Sequence, residues 1–146
     1  MVEIRTYEER DEAAVAALWR EVFPDEPAHN VPEDVIARKL AVQRELFFVA
    51  VEGGEVVGTA MAGYDGHRGW VYAVAVKPDR RRRGIGDALM ARVEEGLRAM
   101  RCPKLNLQVR ATNREAVAFY ERLGYAVEDR VSMGKLFVAP GRGAGE

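Results

Sequence analysis

Residues 2–7 alternate apolar and polar side chains, the period of a half-buried strand. Beyond Asp11, the residues Val15, Leu18, Trp19 and Val22 recur at helical spacing, so a helix capped by Asp11 is expected there. Residues 23–30 hold two prolines and interrupt the period as a loop. Pro32, Glu33 and Asp34 suit the first turn of a second helix that turns Ile36 and Leu40 inward. Two strands follow at residues 46–52 and 55–63, joined by the hairpin signal Gly53-Gly54. A turn at residues 65–69 leads into a strand at 70–76. The next helix carries Ile85, Leu89, Val93 and Leu97 as one inward stripe, and Pro103 separates it from a strand at 105–109. Asn113 opens a last helix that Gly124 closes, and residues 125–131 and 133–138 alternate as two final strands.

This order predicts an α+β domain, a mixed and mostly antiparallel sheet of about seven strands flanked by about four helices. The strand–helix–strand unit around residues 70–109 is expected to be parallel, by the right-handed crossover rule. A chain of 146 residues supports one domain, here residues 1–138, with 139–146 as a Gly-rich flexible tail. A formal charge of −1 gives no electrostatic argument for nucleic acid or a membrane surface. The single cysteine, Cys102, excludes an intrachain disulfide framework and a cysteine-rich metal site, and no metal is expected. No run approaches membrane-spanning length and the first ten residues lack an apolar leader core, so a cytoplasmic protein is expected.

The most informative stretch is Val74-Ala-Val-Lys-Pro-Asp-Arg-Arg-Arg-Arg-Gly-Ile-Gly86. An apolar strand enters an arginine-rich turn, two glycines stand one residue apart, and a helix opens with Asp87. Unpaired N–H groups at a helix start converge on an anion, and the positive end of the helix dipole adds to the attraction. Glycines at 84 and 86 leave the backbone free to approach a phosphate closely. A P-loop lysine and the third glycine of a dinucleotide fold are both missing.

The pattern Arg81-x-x-Gly84-x-Gly86, followed by Asn113 and by Tyr120-x-x-x-Gly124-Tyr125, resembles the GNAT superfamily of N-acetyltransferases, in particular small stand-alone bacterial members. The resemblance spans about residues 4–131 and implies acetyl-CoA as co-substrate. It implies that strands 70–76 and 105–109 splay apart around the pantetheine arm, which the backbone of Val74, Ala75 and Val76 would hold. The Val74 N–H would donate to the thioester carbonyl. Arg81, Arg82, Arg83, Gly84, Ile85, Gly86 and Asp87 would wrap the pyrophosphate, Asn113 would contact the arm, and Tyr120 would protonate the leaving thiolate. Seven residues separate Asn113 from Tyr120, so they share a helix face about 10.5 Å apart along the axis.

Departure from the family lies at the general base, because strand 70–76 has no acid. Candidates for the base and for acceptor contacts are Glu26 and His29 in the first loop, Asp65 and His67 in the turn, and Tyr72. The acceptor is expected to be a small-molecule or peptide amine attacking the thioester directly in a ternary complex. Two alternatives stay open at this point: a catalytically idle CoA-binding module, and an acetyltransferase acting on a ribosomal or RNA-associated protein through Arg80, Arg81, Arg82 and Arg83. Phe137 and Val138 on the terminal strand offer a homodimer contact.

Overall fold

Residues 1–138 are described by the structure, a computed structural model. Strands β1 (Val2–Thr6), β2 (Phe47–Glu52), β3 (Glu55–Tyr64), β4 (Gly69–Val76) and β5 (Leu105–Asn106) form one sheet in the order β1-β2-β3-β4-β5. The first four pair antiparallel, and β4 pairs parallel with β5, as the crossover through the intervening helix predicts. Helices α1 (Glu12–Val22) and α2 (Pro32–Leu40) cover one face, and α3 (Ile85–Ala99) covers the other. Helix α4 (Arg114–Arg122) follows β5.

Each face of the sheet has its own core because β-strand side chains alternate. Leu89, Met90, Val93 and Leu97 of α3 bury against Phe48, Ala50, Val57 and Val71 on one side. On the other, Val15, Leu18 and Trp19 of α1 and Ile36 of α2 bury against Phe47, Val49 and Ala75. A two-way amide link fixes the chain after α2 to β3: Gln43 donates to the Tyr64 carbonyl at 2.8 Å and accepts from the Tyr64 N–H at 2.8 Å.

Three expectations are corrected. Asp11 precedes α1 but makes no side-chain cap bond to that helix. Its buried carboxylate instead accepts from Arg5 at 2.8 and 2.9 Å and from the Glu8 N–H at 2.8 Å, closing the preceding turn. The strand expected at 105–109 is only two residues long, and the strands expected at 125–131 and 133–138 do not form, so five strands stand where about seven were expected. Residues 104–108 and 128–132 do run side by side, joined by Lys104–Glu128, by Asn106 to Glu128 at 2.9 Å and by Gln108 to Ser132 at 2.6 Å. The alternating pattern there has no layer to bury against: Val127, Val131, Met133 and Phe137 are all exposed. Alternation marks a strand only where one face is covered. The expected tail at 139–146 lies outside the described residues.

Candidate active site

The pairing of β4 changes along its length, and that change makes the site. On one side β4 follows β3 from Gly69 to Val76; on the other it meets β5 only at Gly69 and Trp70. From Val71 onward the outer edge of β4 has no strand partner among the described residues. The Lys77 N–H donates inward to the Val57 carbonyl at 2.8 Å. Strand alternation then turns the backbone groups of Val76 outward, whereas Val74 follows a bulge. Arg81 confirms the direction, since its Nε donates to the Val76 carbonyl at 3.2 Å.

A bulge interrupts β4 between Tyr72 and Ala75, where Thr59 faces Ala75 but Met61 faces Tyr72. Ala73 takes φ +52° there, a left-handed conformation that is uncommon for a residue with a Cβ. Its carbonyl accepts the Thr59 hydroxyl at 2.8 Å, and the Thr59 oxygen accepts the Trp19 indole N–H at 2.9 Å. Thr59 is fully buried and Trp19 is 5% exposed.

Beyond β4, a single turn at Pro78–Arg80 delivers the chain to α3. Gly84 caps that helix at φ +81° without a side-chain bond, and Ala88 is the first residue whose N–H reaches back to Gly84, at 3.0 Å. The N–H groups of Ile85, Gly86 and Asp87 therefore have no acceptor within the helix. Arg82 also takes a left-handed φ of +64°, so the turn is tightly wound. Gly86 has a second reason to lack a side chain: a Cβ there would stand 3.1 Å from Cζ of Phe119 and press on that ring. The glycine is where α4 packs onto the start of α3. The Asp87 carboxylate lies 3.7 Å from Arg122, a second tie between the same helices.

The arginine run divides in two. Arg80 is held by Glu52 at 2.9 Å, Glu55 at 3.1 Å and Asp79 at 2.8 Å, and Arg83 reaches Glu52 at 3.5 Å. Arg81 and Arg82 form no ion pair among the described residues. A run that looks like a cationic stripe in sequence is half neutralised in space.

Asn113 is the N-cap of α4, its side chain accepting the Ala116 N–H at 3.1 Å. Tyr120 sits between Phe119 and Tyr125, ring centroids 4.9 and 5.9 Å away, both edge-on. Burial pushes the Tyr120 phenol up to about 12, so it is protonated throughout the neutral range. Tyr125 is raised further by burial and by its 2.5 Å hydrogen bond to Glu94.

These elements enclose a cleft of about 2600 Å³ that passes through the gap between β4 and residues 105–110. Val74, Asn113, Tyr120, Phe23, Glu26, Trp70 and Tyr72 line it; Val74 and Tyr120 pack against the α3 core and Phe23 against the α1–α2 core. Of the proposed acceptor residues, Glu26 and Tyr72 are brought to the cleft, while His29, Asp65 and His67 stand outside its lining. Asp65 is occupied in its turn, accepting the N–H groups of His67 at 2.8 Å and Arg68 at 2.7 Å, and those two bonds hold its carboxyl below the usual range. Ala75 is buried in the α1–α2 core, so its contribution to a ligand would be backbone only.

Residues 11–125 match the model of the acetyltransferase (GNAT) family. The chain belongs to that family. It is 43% identical over 137 residues to acetyltransferase YE1169 of Yersinia enterocolitica, covering 94% of this chain and 96% of that relative. Among solved structures, Ard1 from Thermoplasma volcanium superposes with TM-score 0.78 at 25% identity, over 87% of this chain and 84% of that one. The fold is also that of AAC(6')-Iy solved with a CoA-based bisubstrate analogue, TM-score 0.78 at 18% identity over 94% of this chain and 99% of that one. The protein is thus an acetyltransferase with acetyl-CoA as co-substrate. Its residues fit that molecule: an unpaired strand edge suits the amide-bearing arm, and unpaired N–H groups beside Arg81 and Arg82 suit the pyrophosphate. No group of three metal-ligating side chains occurs among the described residues, and no helix there is long and apolar enough to cross a membrane.

Thr59, Trp19 and Phe119 contact the backbone around the cleft, and sequence reasoning gave them no part there. A lone hydroxyl in the apolar run Val-Val-Gly-Thr59-Ala-Met, with a tryptophan elsewhere needing an N–H acceptor, was the available signal.

Proposed function

We propose that the protein is an N-acetyltransferase that passes the acetyl group of acetyl-CoA directly to a primary amine on a small molecule or peptide. The observation that carries this reading is Val74 on an unpaired strand edge, in the same cleft as a protonated tyrosine. Val74 and Val76 hold the arm of the cofactor by their outer backbone groups. Arg81, Arg82 and the first N–H groups of α3, from Gly84 to Asp87, hold the pyrophosphate, with Arg83 at the margin. The Val74 N–H stabilises the oxygen that gains negative charge when the amine attacks. Tyr120 gives its proton to the departing thiolate, and burial keeps that proton on the phenol throughout the neutral range.

The acceptor enters from the α1–α2 side, across Trp70 and Tyr72. These rings stack with centroids 6.5 Å apart, and Tyr72 is 51% exposed. Arg68 and Arg110 line that part of the cleft, Arg20 is paired with Glu33 at 2.7 Å, and Glu26 is the nearby carboxylate. Such a rim repels polyamines and suits an amine with one positive charge on an apolar body. Glu26 accepts the proton of the entering ammonium. It is already bonded to Asn30 at 3.0 Å, which steadies it at the edge of the cleft. Self-association through the exposed Phe137 and Val138 completes the reading.

The test is release of CoA thiol across singly charged hydrophobic amines, peptide N-termini, polyamines and aminoglycosides, with acetyl-CoA binding followed by calorimetry. Turnover is expected with the first two classes. A protein that binds acetyl-CoA but acetylates polyamines best would overturn the acceptor assignment. Absence of acetyl-CoA binding would overturn the whole reading.

A further inference from the structure

We propose that Thr59, backed by Trp19, is a positioning residue that sets which way the Ala73–Val74 peptide faces. The inference rests on the oxyanion role given above to the Val74 N–H. No peptide bond in the described chain is cis, so the carbonyl of Ala73 and the N–H of Val74 point in opposite directions across one rigid plane. Whatever fixes one fixes the other.

Ala73 sits in the bulge, where the regular ladder between β3 and β4 is broken, so strand pairing does not orient this peptide. Thr59 does. Its hydroxyl donates to the Ala73 carbonyl at 2.8 Å from the α1 side of the sheet, and the carbonyl is thereby held toward α1. The Val74 N–H must then face away, toward the α3 side of the sheet, against whose core Tyr120 packs. If the peptide turned over, the carbonyl oxygen would occupy the place of the donor and repel the developing oxyanion.

A threonine hydroxyl can rotate and bond elsewhere, and Trp19 removes that freedom. Its indole N–H has no acceptor ability, so at 2.9 Å it can only donate to the Thr59 oxygen. The Thr59 proton is thus left to point at Ala73. Thr59 is fully buried and Trp19 is 5% exposed, so water does not compete for the indole–hydroxyl bond, while the half-buried Ala73 carries the relay to the cleft. The left-handed φ of Ala73 is itself an arrangement that surrounding contacts must hold, and this relay supplies them.

Thr59→Val keeps the side-chain shape and removes the hydroxyl, while Thr59→Ser keeps the hydroxyl. Thr59→Val is expected to lower kcat about 10- to 100-fold, the order seen when an oxyanion donor is weakened, with acetyl-CoA affinity changed by less than about threefold. Thr59→Ser is expected to restore most of the rate. In nitrogen-labelled protein the Val74 amide resonance should differ between the CoA and acetyl-CoA complexes in the native and Ser forms, and lose that difference in the Val form. Wild-type kcat in Thr59→Val, equal impairment of the Val and Ser forms, or a rate loss that simply follows cofactor affinity would each overturn the proposal. Should Thr59→Val not fold, Trp19→Phe carries the test. It should lower kcat several-fold with acetyl-CoA affinity intact, and an unchanged kcat would overturn the relay. If native protein binds acetyl-CoA yet turns over no amine, the proposed function fails while the resonance comparison still decides the relay.

Discussion

The frame of β1–β4 with α1–α3 and the stretch from β5 to residue 138 are built by different rules. In the frame, both faces of the sheet are covered and Phe47, Phe48, Val49, Leu89 and Val93 are wholly buried. Helix α4 has no buried residue, β5 has two residues, and the apolar side chains from Val127 to Val138 remain largely exposed. The division matches the two chemical demands of acyl transfer. Aiming a backbone N–H needs a rigid surround, and the frame provides it. In the proposed mechanism the proton comes from Tyr120 on a neighbouring element, α4, whose Phe119 packs at Gly86.

The sharpest way to break this comparison is to cut into the frame. Leu89→Ala should cost about 2–5 kcal/mol of stability, read by denaturant unfolding, since it opens a cavity at a fully buried position. A loss below about 1 kcal/mol would show that the α3 face relaxes as freely as α4. Next in size, Tyr120→Phe should lower kcat at least about 100-fold, with little change in stability or in acetyl-CoA affinity. Equal loss of binding and turnover would make Tyr120 a packing residue of the frame instead of a proton donor.

Alkaline pH probes the junction between the two regions. Tyr120 and Tyr125 have folded pKa values above the ordinary tyrosine value of 10.0, Tyr120 at about 12. The native state therefore holds protons that the unfolded chain releases first. Their stabilising contribution is whole below about pH 10 and is lost as pH rises through the folded values. Thermal melts should fall in that window, and the fall should shrink in Tyr125→Phe. The smallest effect is expected at the far end: Val131→Ser, at a residue 87% exposed, should change stability by less than about 0.5 kcal/mol. A larger loss would mean that this segment is covered in solution, and sedimentation would then report association of two copies.

Element by element, the periodic stretches that meet a covering layer were legible, and the alternating stretch without one was not. The inward stripes of α1 and α3 followed from spacing, because a helix that covers a sheet needs one apolar face whatever lies beneath it. The parallel β4–β5 pairing followed from crossover handedness. The two strands expected after Gly124 did not form, because alternation is necessary for a half-buried strand and does not supply the layer that buries it. Asp11 stood at the right position for a cap, yet Arg5, six residues earlier, took its carboxylate.

By itself the sequence determined the family and the co-substrate, and it pointed to the turn before α3 as the phosphate loop. Each is written in local order: glycines where backbone must approach, arginines beside a helix start, a tyrosine one face along from an asparagine. Tertiary structure alone decided which arginines are ion-paired, that Phe119 packs at Gly86, and that Thr59, 40 positions from Trp19 and 14 from Ala73, joins both in one relay. Those facts depend on the direction in which single groups point across packed layers. Residue order records spacing along the chain, and direction across layers exists only once the layers have closed.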